Sequence, residues 1–406
     1  MAKRAPSRSA VVPLDDPLQQ PAATPAPKRL DQILGQEHAV ETLTSTMESG
    51  RVHHAWIFHG PKGVGKRTTA LAFGALLLDA STQRTFSGGW EADPSSKASE
   101  LLAAGMHPDL HLVTKELALY DEDSQVRNRK LSTIPKAVIE KHLIHPATMA
   151  AQMTGGMAAK VFIVDEAELM DKSLSNAPVQ NAILKTLEEP PERTVIILVT
   201  SNEDRLLPTI RSRCQRVRFS PLNPMEMHQW VDQARREAAK ADPAKPIPEH
   251  ALLDVPNESI AWLTEFADGS PGVFLHAAKS KFHEWAGKLN APIDSALRGT
   301  YPLGLGGSMA ELVEAYAKSI VETEENASKE VASRRGAEWM LRMVCTRARL
   351  GLRTIAKQRL EPGDARAEAL LHAIDAVREA ETELDANVNS TFVFDKLAAE
   401  IASGGA

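Results

Sequence analysis

Four apolar residues ending in two acids, Val161-Phe162-Ile163-Val164-Asp165-Glu166, constrain this chain more than any other stretch. A run without alternation is apolar on both faces, so it reads as a strand buried in a parallel sheet. Its carboxylates then stand at the C-terminal edge, where such sheets hold ligands. The helical pattern Asn181-Ala182-Ile183-Leu184-Lys185-Thr186-Leu187 follows and is stopped by Pro190-Pro191. A second apolar run, Val195 to Val199, ends at Thr200-Ser201-Asn202. Strand, helix, strand is a βαβ unit, and the polar residue at each strand tip points to a site built from strand ends.

Upstream, His54-Ala55-Trp56-Ile57-Phe58-His59 reads as another buried strand, running into Gly60-Pro61-Lys62-Gly63-Val64-Gly65-Lys66-Arg67-Thr68 and then a helical run from Thr69 to Leu78. This is the context of a phosphate-binding loop. Glycines let backbone N–H groups curl around a polyphosphate, the helix N-terminus faces the anion and Lys66 adds a positive charge. The pattern G-x-x-x-x-G-K-[S/T] is met at Gly60, Gly65 and Lys66. It fails at Arg67, which replaces the hydroxyl that should hold Mg²⁺; Thr68 is one residue late, about 100° further round the helix.

The 406 residues suffice for two or three domains, and 43% hydrophobic with 25% charged residues is an ordinary globular balance. No apolar run reaches membrane-spanning length. The basic start, Met1 to Arg8, is followed by Pro, Ala, Asp and Gln, unlike a secretory signal, so a cytoplasmic protein is expected. Two cysteines, Cys214 and Cys345, exclude a disulfide framework and a Cys-rich zinc module. A net charge of −6 argues against a uniformly basic nucleic-acid coat.

Further segments carry a resemblance: Gly50-Arg51-Val52-His53-His54-Ala55-Trp56, His107-Pro108-Asp109-Leu110, Asn181 through Pro191, and Leu206-Leu207-Pro208-Thr209-Ile210-Arg211-Ser212-Arg213-Cys214. Through them the chain resembles the delta-prime family of bacterial DNA polymerase III clamp-loader subunits. These are AAA+ relatives of the gamma/tau motor subunits and of replication factor C. The likeness is strong over about residues 30 to 220 and weaker beyond.

It implies an α/β fold: an AAA+ P-loop domain over residues 29–220, its parallel sheet flanked by helices. A Pro- and Ala-rich disordered tail (1–28) would precede it, and a small helical lid (221–290) and an all-α collar (291–406) would follow. It also implies that Arg213 is an arginine finger reaching in trans into a neighbouring gamma/tau ATP site. The chain's own degenerate nucleotide site would comprise Gly60, Gly63, Gly65, Lys66, Thr68, the Walker B pair Asp165 and Glu166, and the sensor 1 residue Asn202.

Partners would be gamma/tau and delta subunits in a hetero-pentameric ring, with the sliding clamp and primed DNA reached through the complex. Any polymerase activity would belong to that assembly. Rival readings are an active gamma/tau-type ATPase and a stand-alone AAA+ ATPase of DNA repair.

Three departures shape these expectations. Arg67 removes the Mg²⁺ hydroxyl. Gly272, in Gly269-Ser270-Pro271-Gly272, stands where an active motor carries its sensor 2 arginine. The four zinc-binding cysteines common in the family after the P-loop helix are absent from Asp79 to Gly105. The chain's own ATPase should therefore be weak or absent, with weak ATP binding and Mg²⁺ left open and no zinc.

Ser81 to Lys97 reads as a surface loop, Asp121 to Lys130 as a solvated charge run, and Ile134 to Leu143 as helical. Gly299 to Gly307 reads as a break. Asp242 to Pro248 reads as a linker, and Asn387-Val388-Asn389 as the family's turn before the C-terminal helix. Arg342, Arg347, Arg349 and Arg353 read as an ion-pair face, and Cys214 as a buried thiol without chemistry.

Overall fold

The computed structural model describes residues 24–86, 88–240, 255–323, 327–357, 364–386 and 388–404. The expected linker at 242–248, most of the expected tail and Asn387 of the expected turn lie outside the described residues.

Five parallel strands, β1 (Ala55–His59), β2 (Leu110–Val113), β3 (Lys160–Val164), β4 (Thr194–Thr200) and β5 (Gln215–Arg218), form one sheet in the order β2-β3-β4-β1-β5. The unbroken apolar runs explain why the sheet is buried on both sides. Alternation along each strand sends Trp56, Phe58, Val161, Ile163, Val195 and Ile197 to one face. It sends Ala55, Ile57, Phe162, Val164, Ile196 and Leu198 to the other. Helices α1 (Glu37–Glu48) and α2 (Lys66–Leu78) cover the first face, and α3 (Pro178–Glu188) packs on the second. Each fully buried large side chain contributes roughly 1.5–3 kcal/mol of transfer free energy.

Downstream the chain is helical: α4 (Pro224–Lys240), α5 (Asn257–Ala267), α6 (Pro271–Lys279), α7 (Phe282–Ala296), α8 (Leu305–Thr323), α9 (Lys329–Lys357), α10 (Ala365–Asp385) and α11 (Ser390–Gly404). One apolar cluster runs from Leu222 to Ala402, so helices α4 to α11 share a continuous core around Phe274, Phe282 and Phe394.

The basic run on α9 is an inter-helix polar seam. Arg347 makes two hydrogen bonds of 2.5 Å to Asp294, while Arg349 and Arg353 both pair with Asp268. Arg342 donates to the Phe266 and Ala267 carbonyls at the end of α5, where a cation is favoured.

Three local expectations need correction. The segment after Asp79 is not a plain loop, since Gln83–Arg84 pairs antiparallel with Trp90–Glu91. Buried Asp79 anchors it by accepting from Ser81, Ser96 and Ser99. Those serine O–H and N–H donors hold its carboxyl below the usual range, against the opposing effect of burial. The charge run also holds a helical turn, Ser124–Arg127, and Arg127 Nη1 donates to the Asp121 carbonyl. Finally, the glycine break ends early: Gly306 and Gly307 are helical, and a Cβ on Gly306 would lie 2.6 Å from Asp395 N. That glycine lets α8 and α11 approach each other.

Candidate functional site

The strand order brings the end of β1 and the end of β3 to either side of β4, at the C-terminal edge of the sheet. A cleft of about 2060 Å³ opens there. Gly63, Gly65, Lys66, Arg67, Thr68, Asp165 and Glu166 all line it, and Gly60 closes the loop behind them. Thr68, expected to point elsewhere, is on the wall. Asn202 is not: its carboxamide oxygen accepts from Asp204 N at 3.1 Å and caps a short turn, and it lines a smaller pocket of about 360 Å³ with His59, Gly60 and Pro61.

Lys66 is buried and folded onto its own loop, donating to the carbonyls of Gly60 at 2.7 Å and Pro61 at 2.6 Å. Burial, aided by Lys62, brings its ammonium down to about 8, although Glu168 and Asp165 oppose the shift. Glu168 was missed by sequence reasoning. It lies past the two acids in a short 3₁₀ turn, accepts from Ser201 N at 3.1 Å and keeps its second oxygen buried without a hydrogen-bond partner among the described residues. The turn after β3, entered through Glu166 at φ 48°, brings Glu168 within electrostatic reach of the loop lysine.

The two acids after β3 have separate partners. Asp165 Oδ2 lies 3.3 Å from Arg67 Nη1. Burial nevertheless pushes its carboxyl up, assisted by Glu166 and Glu168. For Glu166 burial works in the same direction, but Lys115 at 2.5 Å, then Lys62 and Arg335, outweigh it and hold the carboxyl low. Asp165 is the acid a Mg²⁺ would neutralise in such a site. Here the missing hydroxyl ligand is an arginine that sits on that same carboxylate, so the residues present do not fit a resident Mg²⁺.

Helix α6 docks on the loop. Gly272 N donates to the Gly63 carbonyl at 2.8 Å and Ser270 Oγ to the Lys62 carbonyl at 2.6 Å. A Cβ on Gly272 would stand 2.7 Å from Gly63 Cα, so only glycine permits this approach. Gly272→Arg is therefore expected to loosen the latch and lower stability by about 2 kcal/mol, without creating ATPase activity. Calorimetric melting and phosphate release check both halves.

Arg213 lies far from this cleft by topology. It precedes β5, whose Gln215 pairs with Trp56 at the start of β1, while Arg218 pairs with His59 at the loop end. Arg213 is thus at the opposite edge of the sheet from its own phosphate loop. Its side chain is 36% exposed, with Nη2 2.6 Å from Glu188 and Nη1 donating to the Thr209 carbonyl at 2.8 Å. The neighbouring Cys214 thiol is pushed up to about 12 by burial and is inert as a nucleophile.

Among the described residues no group of three His, Cys, Asp or Glu is placed to hold a metal ion. No helix among them is long and apolar enough to cross a membrane.

A parallel sheet of this order, with a glycine loop after its first strand and paired acids after its third, defines a P-loop protein of the AAA+ class. Residues 35–223 match the family described as DNA polymerase III, delta subunit. The chain is 33% identical over 190 residues to DNA polymerase III subunit delta' of Bacillus subtilis, covering 47% of this chain and 49% of that one. It is 32% identical over 218 residues to the delta' subunit of Pseudomonas aeruginosa, covering 54% and 53%. Against DNA polymerase III subunit gamma/tau of Mycobacterium tuberculosis the figures are 29% over 206 residues, 50% and 30%. The chain spans about half the length of the delta' relatives it matches.

Proposed function

We propose that this chain is a clamp-loader subunit of DNA polymerase III acting in the delta-prime role in DNA replication. It presents Arg213 to the ATP site of a neighbouring gamma/tau subunit and turns over little or no ATP itself. The observation that carries this reading is the position of Arg213: partly exposed, in a Ser-Arg-Cys motif, at the sheet edge remote from its own loop. A guanidinium there has no use for its own nucleotide but is available to another protomer. A planar, permanent cation suits charge developing on a γ-phosphate.

Two features support a weak or silent site in the chain itself. Arg67 occupies the carboxylate a metal needs, and Gly272 brings no sensor 2 cation. Without a metal and that clamp, the transition state loses stabilisation of several kcal/mol from each. The gamma/tau-type reading is favoured by the likeness to gamma/tau subunits, and Arg67 stands against it.

Partners in this reading are gamma/tau and delta subunits in a five-membered ring, acting on a sliding clamp and primed DNA in the cytoplasm. The test is reconstitution. Arg213→Ala should assemble with gamma/tau and delta subunits yet lose DNA-stimulated hydrolysis at the adjoining site. Unchanged hydrolysis removes the finger.

A further inference from the structure

The nucleotide cleft is not enclosed by the AAA+ core and the lid alone. Its wall also includes Ser328, Val331, Ala332, Arg335 and Trp339 of the collar side. Arg335 is half-buried and forms no hydrogen bond or ion pair with the described residues, unlike Arg342, Arg347, Arg349 and Arg353 further along α9.

Trp339, one turn after Arg335, stacks on His276 with ring centroids 4.8 Å apart, and His276 is one turn after Gly272 on α6. Residues four apart share a helix face, so the face of α9 bearing Arg335 is turned to the face of α6 from which a side chain at position 272 would project. The electrostatics agree with this placement. Burial first, then the positive charges of Lys62, Arg335 and Lys279, bring His276 down to about 4.

In a chain of net charge −6, this cleft is lined by eight Lys and Arg against five Asp and Glu. Two of those acids are already compensated inside the chain, Asp165 by Arg67 and Glu166 by Lys115 and Lys62.

We propose that this cleft binds a nucleoside polyphosphate without a divalent cation, Arg67 neutralising Asp165 in the metal's place and the collar's Arg335 supplying the phosphate contact that Gly272 lacks. The ligand would then touch three parts of the chain at once: the loop through Lys66, the lid through α6 and the collar through Arg335. A polyphosphate held by fixed guanidinium groups is retained but not hydrolysed, because no metal-bound oxygen is polarised. This inference rests on the P-loop reading but not on the finger, so Arg213→Ala leaves it untouched and the two can fail separately.

The experiment is titration of the full chain with ATP and with inorganic triphosphate, each in EDTA and in saturating Mg²⁺, followed by calorimetry. The wild type should bind ATP with affinities within about twofold in the two buffers. Loss of one charge-assisted contact corresponds to about tenfold. Arg67→Ser should therefore weaken binding about tenfold in EDTA and recover it in Mg²⁺, whereas Arg67→Lys should stay metal-independent. Arg335→Ala should weaken binding about tenfold in both buffers, and Arg378→Ala, on the exposed side of α10, should change nothing. Melting curves confirm that each variant is folded. No binding by the wild type in EDTA, or unimpaired binding by Arg335→Ala, overturns the proposal. ATP binding tighter than triphosphate assigns the site to a nucleotide, and equal binding overturns the nucleoside part.

Discussion

Arg213→Ala is expected to lower ATP hydrolysis at the adjoining gamma/tau site by on the order of a thousandfold, the low end of what an arginine supplied in trans contributes to phosphoryl transfer. The measurement is DNA-stimulated phosphate release by a reconstituted ring in which the adjoining subunit alone keeps a working P-loop lysine. The loss should fall on turnover and leave assembly intact, because the interactions Arg213 makes within its own chain are weak ones. Its ion pair with Glu188 is open to solvent on both sides, and such a pair contributes about 0–1 kcal/mol. Arg213→Lys should recover little, since an ammonium cannot match the two-pronged geometry of a guanidinium. A ring that hydrolyses normally with either variant means that this arginine serves only its own surface.

The second large effect concerns the loop lysine and pH. With burial lowering Lys66 from 10.5 to about 8, the folded chain releases this proton at lower pH than the unfolded chain does. Between pH 8 and 10.5 the unfolded state therefore holds more protons, and the contribution of Lys66 to stability rises with pH across that window. Below pH 8 the side chain is charged in both states, and its burial counts fully against folding.

The comparison is with Lys66→Met, which keeps the bulk and cannot titrate. The stability of the wild type relative to this variant should climb by on the order of 3 kcal/mol from pH 8 to pH 10.5, the shift converted at 1.36 kcal/mol per unit. Urea denaturation of both proteins across that range reads it directly. A flat difference means that the two loop carbonyls and Glu168 fully replace the water that Lys66 gives up.

Much of the site could be read before any coordinates. The strands at Ala55–His59, Lys160–Val164 and Thr194–Thr200, the glycine loop between β1 and α2, and the acids after β3 all lie where apolar runs and turn residues put them. These signals are local: an unbroken apolar run can only be a buried element, and a glycine loop between strand and helix needs no distant partner to form. Asn202 shows the limit. Its place at the tip of β4 was legible, but whether its carboxamide faces the cleft or caps the next turn depends on one backbone conformation. Glu168 shows the reverse, for nothing in its neighbours marks it until the turn at Glu166 brings it within electrostatic reach of Lys66.

The sequence by itself determined the α/β P-loop class, the loss of the loop hydroxyl at Arg67 and the glycine at position 272. Only the tertiary structure decided what those losses become. Residues 98 positions apart meet as Arg67 and Asp165. Gly63 and Gly272 touch through their backbones. Arg335 reaches the cleft from the far end of the chain. The physical reason is range: periodicity and loop composition report forces along a few residues of chain, whereas an ion pair is set by how separate elements pack.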